Sequence, residues 1–296
     1  MKRRQHGYWW YLLPIGIGFT AVVAVPFAAN VVLSFFRWKG GIAPLHWNGL
    51  GNYSDLLHDA NFWLSFRNSV FMIIAIVVIP TGAGILLAAT LVDYLGKRFG
   101  PRAASFLRAT YYLPQILPIA VAGFIWSWIL DPGSGSINTF LRSVGVSDPP
   151  DWLGSPDLAL YSVMLMLVWL QLGYPLVIFM AALSRVDPEL YEAAALDGAG
   201  WWRQFGAITL PTVRPEIFIV VLTATVAALK VFAPILILTG GGPEGSTLVP
   251  SYYAYRNFFE LSQVGYGSTI ATVMAVVIFG VAAVLLGWQR RAERRA

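Results

Sequence analysis

Long apolar runs constrain this chain more than any other feature. A helix that crosses a bilayer needs about 20 consecutive apolar residues. Six runs qualify, at about 8–36, 68–92, 104–130, 157–184, 211–239 and 264–288. In lipid the backbone must satisfy its own N–H and C=O groups, which runs of this length do as helices. The expectation is an all-α membrane protein with six transmembrane helices. Composition agrees, with 57% hydrophobic and 12% charged residues, about half the charge of a soluble domain. The first run is about twice as long as a signal-peptide core, so it is read as a retained span.

Orientation follows from lysine and arginine. With the N-terminus inside, the inside segments carry fourteen of them: Lys2, Arg3, Arg4, Lys97, Arg98, Arg102, Arg108, Arg185, Arg203, Arg214, Arg290, Arg291, Arg294 and Arg295. The outside segments carry five: Arg37, Lys39, Arg67, Arg142 and Arg256. Cytoplasmic flanks hold the positive excess, so both termini and the loop 185–215 are expected in the cytoplasm. These flanks also account for the net charge of +5. No interleaving of aromatic and basic residues marks a nucleic-acid surface. The absence of cysteine excludes disulfides and cysteine-ligated metals.

The loop 185–215 is a polar, small-residue island between two apolar runs. Pro188 to Leu196 reads as a short helix, with Asp187 placed to cap its first turn. Ala193, Ala194 and Ala195 favour helix and leave a smooth face. Gly198 and Gly200 permit a sharp bend. A second short helix follows, and Pro211 and Pro215 begin the next long segment. The local form is a helix–turn–helix on the membrane surface, shaped for docking. The residues Glu192, Ala193, Ala194, Asp197, Gly198, Ala199, Phe205, Ile208, Leu210, Pro211 and Pro215 resemble the EAA loop of ATP-binding-cassette importer permeases. That resemblance implies a coupling helix, with Glu192 to Gly200 seated in a cleft of a separate ATPase subunit.

Polar residues inside spans mark candidate solute contacts, because lipid tolerates them poorly. Gln171 lies in the fourth run, next to Gly173 and Pro175, which loosen the helix there. It either meets a solute or bonds a neighbouring helix. Lys230 lies near the middle of the fifth run. It either lines the pathway or forms a structural pair. The segments Leu50-Gly51-Asn52-Tyr53, Gly173-Tyr174-Pro175 and Leu238 to Pro243 with the tyrosines after it resemble carbohydrate-type permeases of the maltose and glycerol-phosphate kind, and specifically the larger maltose permease subunit. The resemblance spans about residues 8–288. It implies substrate contacts at Gln171, Leu172, Gly173 and Leu176, and a drier wall at Ala228 and Val231 around Lys230.

Pro114 and Pro118 should bend the third span. The loop 94–105 reads as a topology anchor or as a second ATPase contact. Asp131, Asp148, Asp151 and Asp157 read as solvated turn residues or as a partner contact. The three-glycine stretch 240–242 lacks the G-K-[ST] end of a phosphate loop. His6, His46 and His58 fall on two sides of the membrane, so no metal site is expected. No catalytic constellation or nucleotide motif occurs, so ATP would be hydrolysed on other chains and no cofactor is expected.

The expected molecule is thus an importer-permease bundle in a bacterial or archaeal cytoplasmic membrane. Residues 1–67 would hold the tail, first helix and extracytoplasmic loop. Residues 68–288 would form the core with its coupling loop, and 289–296 a basic cytoplasmic tail. The resemblance implies a second homologous permease subunit, two ATPase subunits and an extracytoplasmic solute-binding protein, in contact with membrane lipid. The expected substrate is a carbohydrate: a sugar, oligosaccharide or polyol derivative. The alternatives are a phosphate ester such as glycerol 3-phosphate, or a secondary transporter. The last is disfavoured because no inverted repeat is evident.

Overall fold

The computed structural model describes residues 9–91 and 96–293. Lys2, Arg3, Arg4, Arg294 and Arg295, used above to assign orientation, lie outside the described residues. The chain begins with α1 (Trp9–Phe19) and α2 (Val25–Leu33), then strands β1 (Phe36–Arg37) and β2 (His46–Trp47). Next come α3 (Gly51–His58), α4 (Ala60–Ile73), α5 (Ile79–Thr90), α6 (Gly96–Ile116), α7 (Ile119–Ile129) and α8 (Ser136–Ser143). They are followed by α9 (Ala159–Gln171), α10 (Gly173–Leu183), α11 (Pro188–Leu196), α12 (Trp201–Gln204) and α13 (Leu210–Thr212). The last are α14 (Arg214–Leu229), α15 (Ala233–Leu238), α16 (Pro250–Tyr255) and α17 (Val264–Glu293). The all-α expectation holds, with one short antiparallel hairpin added among the described residues.

Among the described residues, four helices are long and apolar enough to cross a membrane: Tyr11–Leu33, Ala60–Thr90, Ala159–Leu183 and Val264–Arg291. Two further runs are bent pairs. Phe106–Ile116 turns by 99° into Ile119–Ile129, and Trp201–Thr212 turns by 67° into Arg214–Leu229. The number of spans is six if each bent pair is one crossing. The first bend is the one expected from Pro114 and Pro118, since each proline removes an amide from the helix ladder.

The chain divides into two compact units. The first comprises residues 1–62 and 253–277. Here the start of α17 is laced to α2 and β1. Asn30 Nδ2 donates to Thr272 Oγ1 at 3.1 Å, Thr269 Oγ1 to the Ser34 carbonyl at 3.1 Å, and the Gly265 amide to the Trp38 carbonyl at 3.1 Å. Buried Asn52 on α3 donates to the Ser34 and Phe36 carbonyls at 2.8 and 2.9 Å. Buried polar groups of this kind persist only when paired. Asp59 accepts hydrogen bonds from Tyr253 (2.6 Å) and Tyr266 (2.5 Å). Burial, reinforced by Asp59, pushes the Tyr253 phenol up to about 12.

The second unit comprises residues 63–252 and 278–296. Its core lies where α5 meets α10, with Ile85, Ala88, Leu176, Phe179 and Val220 buried together. Lipid supplies no hydrophobic drive between helices, so close approach through small residues does the packing. Gly84 shows this: a Cβ there would sit 3.0 Å from Pro175. The loop after α7 is self-contained. Asp131 accepts from the Gly133 amide (3.0 Å) and the Ser134 amide (2.6 Å), and those bonds hold its carboxyl below the usual range. Asp151 accepts from the Gly154 amide at 2.8 Å. Both aspartates build turns.

Candidate functional site

Two features of the second unit are candidates for function. The first is the surface segment between α10 and α14. Asp187 accepts from the Glu189 amide at 3.0 Å and so caps α11, while Pro188 supplies the first helical position; such a cap contributes about 1 kcal/mol. At the other end the Gly198 amide donates to Ala195 O (3.0 Å) and the Ala199 amide to Ala194 O (2.9 Å). That pair of bonds needs a left-handed residue after the cap, and Gly198 has φ +76. Gly200, expected to share the bend, instead has φ −69 and ψ 168, a conformation open to any residue. It starts α12.

None of the residues of α11 is buried. Leu196 is 90% exposed and Trp202 71%, so this polar loop presents apolar side chains outward. Glu192, Ala193, Asp197 and Gly198 are exposed, and Ala194 and Ala199 half-buried. The segment is nevertheless fastened to the core. Trp201 stacks on Phe205 with centroids 5.3 Å apart, and both pack against the cluster of α5 and α10. Tyr191 and Thr209 share a hydroxyl–hydroxyl bond of 3.0 Å. Arg185, just after α10, pairs with Glu216 in the first turn of α14. The connection that carries α11 is thus tied to the α5–α10 core through Trp201 and Phe205 and to α14 through Arg185.

The second feature is a cavity of about 450 Å³, within the range of small-ligand sites. It opens at two chain breaks. One is the bend between α6 and α7. The other is Lys230 to Phe232, between α14 and α15. The fifth apolar run was expected to place Lys230 mid-span. The helix in fact stops at Leu229 and Lys230 caps it, with φ −107 and ψ 10. Pro234 gives the reason: proline lacks the amide that would bond the Lys230 carbonyl four residues back, and its ring crowds that carbonyl.

Gln171, Lys230 and Val231 line this cavity together with Gln115. Among the described residues, no side-chain hydrogen bond or ion pair engages Gln115, Gln171 or Lys230. The other candidates lie elsewhere. Leu172 is half-buried outside the lining. Leu176 and Ala228 are 0% and 1% exposed, with Leu176 in the α5–α10 core. Gly173 is buried against α6, where a Cβ would lie 2.7 Å from Tyr111 O. Gln115 is not among the sequence candidates. Its signal is the one that singles out Gln171: a glutamine in an apolar run, here between Pro114 and Pro118. Trp202 and Leu196 were likewise missed, because only the fold reveals that they point outward.

Comparison with known proteins adds the following. The family model described as binding-protein-dependent transport system inner membrane component matches residues 81–296. The chain is 33% identical over 268 residues to the probable ABC transporter permease protein YurN of Bacillus subtilis (strain 168), covering 90% of each. It is 32% identical over 279 residues to the diacetylchitobiose uptake system permease protein NgcF of Streptomyces coelicolor, covering 92% of this chain and 79% of that one. A chain of a bacterial ABC transporter involved in the import of the acidic polysaccharide alginate has the same fold, with TM-score 0.82, 23% identity, and coverage of 96% and 95%.

Proposed function

The chain belongs to the binding-protein-dependent transport system inner membrane component family, and from that premise we propose that it is the permease subunit of an ABC importer for a carbohydrate. It would form half of a translocation pathway, with a second, homologous permease subunit forming the rest. In this reading residues 68–288 are the permease core, the loop 185–215 is cytoplasmic with both termini, and the membrane is the inner one. Two ATPase subunits dock on the Glu192–Gly200 segment, and an extracytoplasmic binding protein delivers the solute. The name of the diacetylchitobiose relative supports the carbohydrate class.

The observation that carries the reading is the cavity lined by Gln115, Gln171 and Lys230, whose side chains have no partner among the described residues. Unpaired polar groups within a span are costly unless a cavity solvates them or a solute meets them. Two carboxamides offer both donors and acceptors, which suits the hydroxyls of a sugar. Closure of the ATPases must act through a contact that differs in energy between states. In this reading that contact is the α10–α14 connection, which holds to α14 through the Arg185–Glu216 pair and packs on the α5–α10 core through Trp201 and Phe205. Gln171, just before α10, and Lys230, just after α14, line the cavity.

Gln171→Leu is expected to weaken uptake affinity about tenfold, the loss of one or two hydrogen bonds to solute, with assembly intact. Uptake measured at several solute concentrations checks this, and an unchanged affinity removes Gln171 from the path. The class of substrate is tested by ATPase activity of the reconstituted complex with neutral oligosaccharides and, separately, glycerophosphate compounds. Stimulation by a neutral sugar supports the carbohydrate assignment. Stimulation by a phosphate ester alone would overturn it and make Lys230 the first residue to mutate.

A further inference from the structure

The first unit holds a second polar cavity, of about 650 Å³, that the transport reading does not use. Arg37, Lys39, His46, Asn52, Asp55 and Gln263 contribute to its wall, with Trp38 and Tyr266. Its charge is unbalanced. Arg37 meets Asp55 at 3.3 Å, but those side chains are 64% and 57% exposed, and an exposed pair of that kind holds its partners weakly. Lys39, His46 and Gln263 have no side-chain partner among the described residues. The cavity thus offers cations and donors to an anion.

Its position says which anion. The apolar span Tyr11–Leu33 ends four residues before Arg37, and the span Val264–Arg291 begins directly after Gln263. The two helix ends are laced together by the Asn30, Thr269 and Gly265 bonds described above. The cavity therefore lies where apolar helix gives way to the interface, the depth at which Trp, Tyr, Arg and Lys meet headgroups. The strap Trp38–Ala43, closed by a bond from Trp38 Nε1 to the Ala43 carbonyl at 2.9 Å, has a second cavity on it. That one, also about 650 Å³, is lined by Ile42, Phe258, Phe259 and Val264 as well as Trp38 and Lys39. A cationic hollow and an apolar trough share Trp38, Lys39 and Ala43. One ligand that has both chemistries in that order is a phospholipid.

We propose that this paired cavity is a binding site for an anionic phospholipid, with the headgroup phosphate on Arg37 and Lys39 and the start of an acyl chain along Ile42 and Phe259. Arg37 supplies a planar fork for phosphate oxygens and Lys39 a mobile point charge. The acidic side chains of a protein partner would use the cationic hollow but leave the apolar trough unexplained.

The test uses the purified importer complex, stripped of lipid in a neutral detergent and titrated with phosphatidylglycerol under native mass spectrometry. Wild type is expected to hold one phosphatidylglycerol more tightly than K39Q or R37Q/K39Q, with apparent affinity at least about tenfold higher than the double variant, one decade for each ~1.4 kcal/mol. Both side chains are exposed, and K39Q leaves the Arg37–Asp55 pair intact, so folding is preserved. F259S is expected to weaken the lipid but not soluble glycerol phosphate. Equal retention by wild type and R37Q/K39Q overturns the proposal. So does displacement of the lipid by equimolar glycerol phosphate, which would make the site one for free phosphate. Loss of binding-protein affinity in R37Q/K39Q with lipid retention unchanged also overturns it, and assigns the hollow to a protein.

Discussion

Gly198→Val is expected to reduce solute-stimulated ATP hydrolysis by the reconstituted importer at least about tenfold, with insertion and assembly of the permease unchanged. Gly198 sits at φ +76, where a β-branched residue is a true outlier. Strain of this kind costs about 1–3 kcal/mol, and each ~1.4 kcal/mol is a decade in an equilibrium. The chain escapes it by giving up the bonds from the Gly198 and Ala199 amides to Ala195 O and Ala194 O. The last turn of α11 then unwinds, and Leu196 and Trp202 no longer present one surface. No clash contributes, because a Cβ at Gly198 meets nothing within 4 Å. Gly200→Val supplies the control, as that backbone is extended and its surroundings are equally open. It is expected to retain most of the stimulation. Wild-type stimulation in Gly198→Val would falsify the coupling role. Equal losses in both variants would move the cause from the turn to contacts with the ATPase. Glu192→Lys, on the exposed face, is expected to loosen ATPase docking without altering the turn.

Gly173→Leu is expected to prevent accumulation of folded protein, and Gly173→Ala to lower thermal stability in detergent by several degrees. A Cβ at Gly173 would stand 2.7 Å from Tyr111 O and 2.8 Å from Tyr112 Cα. Those are backbone atoms of α6 and cannot rotate aside, so α6 and α10 must separate. Overpacking of this sort costs about 1–3 kcal/mol for one methyl and more for a larger group. A protein has only about 5–15 kcal/mol in all, and each kcal/mol is worth about 2–4 °C at this size. Gly173 lies outside the cavity lining but two positions on from Gln171, which is part of it, so surviving Gly173→Ala protein should show altered uptake. Thermal unfolding of Gly82→Ala gives the comparison, since a Cβ there meets nothing within 4 Å. Equal melting of the two alanine variants would show that α6 yields without cost.

Length and polarity of the runs determined, from sequence alone, that this chain is a helical membrane protein. They did so because lipid cannot hydrogen-bond a peptide group, which leaves a 20-residue apolar run one option. The cap at Asp187, the stop at Gly198 and the bend at Pro114 and Pro118 were legible for a similar reason: each depends on residues within one or two helical turns. Other features were not. Gly173 was read as a loosened helix, whereas its buried face is a close contact with Tyr111, some sixty positions away in sequence. Gln171 and Lys230 were each singled out, yet their meeting with Gln115 at one cavity depends on three helices coming together. Leu176 and Ala228 belong to the same apolar runs as cavity residues but are buried outside the cavity lining. Which face of an apolar helix meets a neighbour is undetermined by composition, because lipid and protein interior are nearly equally apolar. Only side-chain fit between helices distinguishes them, and that fit is a property of the tertiary structure.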